Sequence, residues 1–160
     1  MRLTLRLTRL SPTHHELAYA REDGSGEVVT LETKSLLFHD LLHFAVETEA
    51  GLRGSFYGKL AAGRSLAELQ ADAMEMQAGE AAVTERVVGA LTGAIQSGAE
   101  AGQVVAAYQR LEAAMGDAAP AWFDASFVER VRERVRRLTG EWKATPFGET
   151  MTLTFEAPSG

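Results

Sequence analysis

From Arg2 to Leu10 apolar and polar side chains alternate, with Leu3, Leu5 and Leu7 on one side and Thr4, Arg6 and Thr8 on the other. A period of two marks a half-buried strand, because successive side chains of extended backbone point to opposite faces. Ser11-Pro12 ends this segment, and two further strands are predicted, His15 to Arg21 and Glu27 to Glu32. Between those two, Glu22-Asp23-Gly24-Ser25-Gly26 supplies the glycines of a hairpin loop. Near the C-terminus Met151, Leu153 and Phe155 alternate with Thr150, Thr152 and Thr154, which predicts a fourth, antiparallel strand.

Between these ends the period becomes helical. A helix capped by Thr33 or Ser35 is expected to run to about Ala50, with Gly51 just beyond it. A short, glycine-broken helix covers Ser55 to Ala62. Ser65 and Glu68 form a capping box that opens a helix to about Gln77, and Glu80 to Gln96 forms the next, stopping at Ser97-Gly98. Gly102 to Met115 follows, then a linker of small residues from Gly116 to Pro120. A second capping box, Ser126 with Glu129, starts a helix ending at Gly140. Strands at both ends with about five helices between them predict an α+β fold. The expected architecture is one domain over residues 1–160, an antiparallel sheet of about four strands with helices on its leucine face.

Composition then removes whole classes. An apolar fraction of 46 % with 24 % charged residues is that of a chain able to bury a core, which excludes wholesale disorder. The net charge of −6 argues against a nucleic-acid partner, whose affinity rests on a basic surface. Without cysteine there are no disulfides, iron–sulfur clusters, thiolate zinc sites or cysteine nucleophiles. No apolar run approaches the roughly 20 residues of a membrane helix, and the N-terminus lacks the continuous apolar segment of a secretory signal. The expectation is a soluble cytoplasmic protein without a membrane partner.

The candidate chemistry lies in Phe38-His39-Asp40-Leu41-Leu42-His43-Phe44-Ala45-Val46-Glu47, which holds two of the four histidines. At about 100° per residue His39, Asp40, His43 and Glu47 share one ~100° arc of a helix. Two histidines four apart can chelate one ion, the geometry used by HExxH enzymes. His39 and His43 are therefore the candidate metal ligands. Glu47 lies about 12 Å along the axis from His39, too far to share that ion comfortably. It reads as an acceptor for His43 or a ligand of a second ion. Asp40 stands where HExxH places its glutamate, one methylene shorter, and Asp40 and Glu47 are the candidate proton acceptors. A third ligand must come from elsewhere, with His14, His15, Glu68, Asp72 and Glu75 as candidates.

His39-Asp40-Leu41-Leu42-His43 resembles the HDxxH element of the zinc-motif proteins of ubiquinone biosynthesis, which are helical. Their pattern continues with eleven residues and then a glutamate, a place held here by Ser55. The resemblance therefore carries over to His39, Asp40 and His43 alone; it implies a metal and no substrate.

Other signals are weaker. Gly54-Ser55-Phe56-Tyr57-Gly58-Lys59-Leu60 lacks the spacing and the Ser/Thr of a phosphate loop. Arg53, Tyr57 and Lys59 are either surface residues or the lining of a cleft for an anionic group. The helix bearing Arg130, Arg132, Arg134, Arg136 and Arg137 reads as a solvated basic face, with Glu133 and Arg137 paired. Met74, Met76 and the alanine-rich helices suit close packing, in a core or across a homodimer. Two functions remain. One is a metal protein, zinc being the most plausible divalent transition ion, that hydrolyses a small-molecule substrate of unknown identity. The other is a dimeric, non-enzymatic interaction or regulatory protein whose histidine face is only structural.

Overall fold

The computed structural model describes residues 1–159, Ala73 by its backbone alone. Strands β1 (Arg2–Arg9), β2 (His14–Arg21), β3 (Gly26–Glu32) and β4 (Thr150–Glu156) form one antiparallel sheet in the order β3-β2-β1-β4. The fold is α+β, and β4 joins the N-terminal strands as its alternation predicts. Register aligns the apolar rows: Leu5 lies opposite Tyr19 and Leu153, and Leu7 opposite Leu17 and Met151. All six are buried on one face.

Seven helices follow among the described residues: α1 (Thr33–Ala50), α2 (Phe56–Ala61), α3 (Leu66–Ala71), α4 (Ala73–Met76), α5 (Gly79–Ser97), α6 (Ala101–Ala114) and α7 (Ala125–Ala144). Helix α1 is the middle layer. Leu37, Leu41 and Phe44 pack with Tyr57 and Leu60 against the sheet. Leu42, Ala45 and Val46 turn the other way, into a second core with Val87, Val88 and Leu91 of α5 and Val128 and Val131 of α7. The stretch covered on both sides has no solvent face, so every residue from Leu41 to Glu47 is buried, His43 and Glu47 included, while His39 one turn earlier stays exposed. That overturns a solvated face as the explanation of these two polar residues.

Several boundaries differ from the sequence expectation. The chain passes from β3 straight into α1, whose N-cap is Glu32 without a side-chain bond, so neither Thr33 nor Ser35 caps it. The Thr33 amide donates instead to the Thr13 carbonyl at 2.9 Å. The single helix expected from Ser65 to Gln77 is two, because the Asp72 carboxylate accepts from the Glu75 amide at 3.0 Å and starts α4. The Ser65–Glu68 capping box is present. The second box is not: Asp124 accepts from the Phe127 amide at 2.7 Å, and Ser126 sits within the first turn. Helix α7 then runs through Gly140 to Ala144. Burying Trp142, just beyond Gly140, outweighs the roughly 1 kcal/mol that a mid-helix glycine costs.

Three of the five arginines of α7, Arg130, Arg132 and Arg134, tie the helix to other elements. Arg130 and Arg134 reach Glu49 of α1 at 3.1 and 2.7 Å, and Arg132 donates to the Ala99 carbonyl between α5 and α6. Arg136, not Arg137, pairs with Glu133. Among the described residues no helix is long and apolar enough to cross a membrane.

Candidate metal centre

Helix α1 places His39 and His43 one turn apart, their ring centroids 4.6 Å from each other. Opposite them α5 contributes Glu85. The α5 residues that share a core with α1 are Val87, Val88, Leu91 and Ala94, and Glu85 lies one turn before this stripe, its carboxylate reaching the two histidines. Glu85 Oε1 lies 2.9 Å from His43 Nε2, and Oε2 lies 3.8 Å from His39 Nε2. One donor atom from each of the three residues falls within 4.8 Å of the others, an arrangement that can hold a metal ion.

The buried Nε2 of His43 has no hydrogen-bond partner despite the oxygen at 2.9 Å. The contact is close enough for an ion pair but out of line with the direction in which the ring nitrogen would present a proton. The other ring nitrogen, Nδ1, lies 3.3 Å from Glu47 Oε2. Glu47 is itself fully buried, and its second oxygen accepts from the amides of Tyr57 and Gly58 at 2.8 and 3.3 Å. It thereby joins the N-terminus of α2 to the His43 ring, where amide groups and the helix dipole favour a negative charge. Asp40 lies on the far side of His39, its carboxylate 3.8 Å from Nδ1.

These neighbours control protonation. The carboxylates of Asp40 and Glu85 raise the His39 pKa to about 9. Burial alone would depress His43, but Glu47 and Glu85 outweigh it and raise that ring to about 9 as well. The two rings hold the Glu85 carboxyl far below its usual range. Burial pushes the Glu47 carboxyl up, against the opposing pull of His43 and the two amides. With both rings protonated, two positive charges face the carboxylates of Asp40, Glu47 and Glu85. A divalent ion replacing the two ring protons leaves that balance unchanged.

His39, Asp40, His43 and Glu85 open onto a cavity of about 250 Å³ whose other walls include Phe56, Leu69 and Met76. Glu47 lies sealed behind the His43 ring. None of the five third-ligand candidates named from sequence joins the cluster. His14 contacts Thr13 at 2.9 Å; His15 is buried with Nδ1 3.0 Å from the Thr33 hydroxyl and its ring edge-on to Trp142. Glu68 and Asp72 cap α3 and α4, and Glu75 pairs with Lys59 and Arg64. Sequence reasoning missed Glu85, although its place beside the α5 stripe was a usable signal.

The glycine-rich segment after α1 takes no phosphate. The amides of Arg53 and Gly54 donate to Glu80 and those of Tyr57 and Gly58 to Glu47, so the protein's own carboxylates fill the anion positions. A Cβ at Gly58 would lie 2.2 Å from the Arg53 carbonyl oxygen, so close backbone approach requires glycine there. Tyr57 is buried with its hydroxyl donating to the Asp40 carbonyl, and Lys59 is paired with Glu75, so neither lines an anion cleft.

Comparison of the chain with protein-family models, with curated proteins and with solved structures gave no match.

Proposed function

We propose that the protein binds one divalent transition ion, zinc, through His39, His43 and Glu85, and uses it for metal-assisted hydrolysis of a small molecule. The observation that carries this reading is the convergence of three donors from two helices on one point at a cavity wall. In a tetrahedral site with metal–ligand bonds of 2.0–2.2 Å, ligand atoms stand roughly 3.3–3.5 Å apart. The two histidine–Glu85 separations, 2.9 Å to Oε1 and 3.8 Å to Oε2, lie on either side of that value, and one donor atom from each of the three residues lies within 4.8 Å of the others, so closing on one ion requires the side chains to rotate inward. Imidazole and carboxylate donors without thiolate suit zinc, and two histidines with one glutamate make a ligand set that leaves a fourth position for water.

The chemistry supplied by the bound ion is acidification of that water. The chain's own residues do the rest. Asp40 lines the same cavity, on the Nδ1 side of His39 away from Glu85, and would take up a proton from water held in that cavity rather than touch the ion. Glu47 orients the His43 ring from behind and fixes which nitrogen faces the ion, as an outer carboxylate does for a ligating histidine. Phe56, Leu69 and Met76 make the rest of the cavity wall apolar.

Cobalt(II) in place of zinc tests the ligand set. Wild-type protein should show the intense visible d–d bands of low-coordinate cobalt, and His39→Ala should lose them. His39 is half exposed, so this substitution leaves the core intact. A six-coordinate aquo spectrum in both proteins would overturn the proposal.

A further inference from the structure

The cavity at the candidate metal centre does not end at Phe56. A second cavity of about 450 Å³ shares His39, Asp40, Phe56 and Gln70 with it and extends along the sheet edge. One wall is the inward face of β2 and β3, with Leu17, Val29 and Leu31; the other is α3, with Leu66 and Ala67. The two walls are tied together. Glu27 of β3 accepts from the Leu66 amide at 2.8 Å and from the Tyr19 hydroxyl, and Arg21 of β2 donates to the carbonyls of Leu60 and Arg64, both at 2.6 Å. The trough is therefore a formed feature of the fold rather than a loose gap between layers.

Its charge is one-sided. The ionisable groups lining the two cavities are His39, His43, Asp40, Glu85 and Glu27, and no lysine or arginine is among them. With the two histidines engaged by a metal, the remaining fixed charges are carboxylates. Beyond the metal, a ligand carrying negative charge along its length would face Asp40 and Glu27 with no lysine or arginine to offset them. An aliphatic chain meets leucine, valine and phenylalanine walls, and sites of this kind use a few polar groups to orient an otherwise apolar ligand.

We infer that the substrate is an uncharged alkyl-chain compound whose carbonyl-type head group sits at His39, His43 and Glu85 while its chain lies along the trough between β3 and α3. This rests on the metal reading above and adds the ligand class to it. In the hydrolytic step, water adds to the carbonyl carbon of an ester or amide and the bond to the alcohol or amine leaving group breaks. The proton taken up by Asp40 passes to that leaving group. No oxidant or second substrate is needed.

The test uses zinc-loaded protein and a series of n-alkyl hydroxamic acids, whose head group chelates zinc and whose chain length is varied. Burial of each methylene should tighten binding about fourfold, until the chain fills the trough. Ala67→Trp fills the outer cavity from an exposed position on α3, where the larger side chain does not disturb the core. It should abolish the gain for long chains and leave the shortest hydroxamate unchanged. Zinc content is measured in the same samples. A zinc-loaded protein with equal affinity for short and long chains, or a long-chain gain that survives Ala67→Trp, overturns the ligand class and leaves the metal reading intact. A protein that takes up no zinc overturns both.

Discussion

His43 is held on both sides of its ring, by Glu47 at Nδ1 and by Glu85 at Nε2. Removing the Glu47 charge should therefore act on the metal without touching it. Glu47→Gln is expected to weaken zinc binding about 10–100-fold, read by competition with a chelator; unchanged affinity would show that the ring needs no orienting carboxylate. Proton competition follows from the same contacts. Both rings have pKa values raised from 6.5 to about 9, so in metal-free protein their pairing stabilises the fold fully below pH 6.5 and is lost as pH rises through about 9. Zinc must displace those protons, so its affinity should keep rising up to about pH 9. An unperturbed histidine would level off above about 6.5, the value the sequence alone suggests. Affinity that is flat between pH 7 and pH 9 would contradict the ring–carboxylate contacts. His39, Asp40 and His43 were legible in the sequence because they share one helix face. Glu85 is 42 residues beyond His43 on another helix, and only the packing of α5 on α1 brings them together.

At the scale of elements, alternation and helical period located every strand and most helices, because most of them present one apolar face to a defined neighbour. The caps were harder to place. Asp124 and Ser126 are both good N-caps two residues apart, and local chemistry does not separate them. The carboxylate–amide bond to Phe127 assigns the cap to Asp124, whereas the Ser126 hydroxyl accepts from the exposed Arg130 side chain at 2.8 Å. Asp124→Ala should cost on the order of 1 kcal/mol and Ser126→Ala close to nothing, measured as denaturant midpoints. The reverse order would return the helix start to Ser126. The break at Asp72 was hidden for a similar reason: a helix-compatible run conceals a residue that caps a new turn.

For the molecule as a whole, the two chain ends are one structural unit. Strand β4 pairs with β1 along its length, and buries Met151, Leu153 and Phe155 against the same core as Leu3, Leu5 and Leu7. Deleting residues 149–160 should expose that core and the β1 edge, and so prevent cooperative folding. A truncated protein that melts at the wild-type temperature would contradict the sheet order. Because α1 lies against this sheet on one side and α5 on the other, the truncation should also scatter His39, His43 and Glu85. The α+β class was readable from the order of patterns. The burial of α1 on both sides was not, since it depends on a second core formed by α5, α6 and α7.

Calorimetric titration of zinc into metal-free protein at pH 8, with elemental analysis of the product, bears most directly on the centre formed by α1 and α5. Wild-type protein should bind one equivalent and release protons from His39 and His43, with the buffer-dependent heat reporting that release. His39→Ala and Glu85→Gln, at partly exposed positions that leave the fold intact, should each lose tight binding. Sub-stoichiometric zinc, with the same weak heats in wild type and both variants, would show that His39, His43 and Glu85 are an ion-pair cluster and not a metal site.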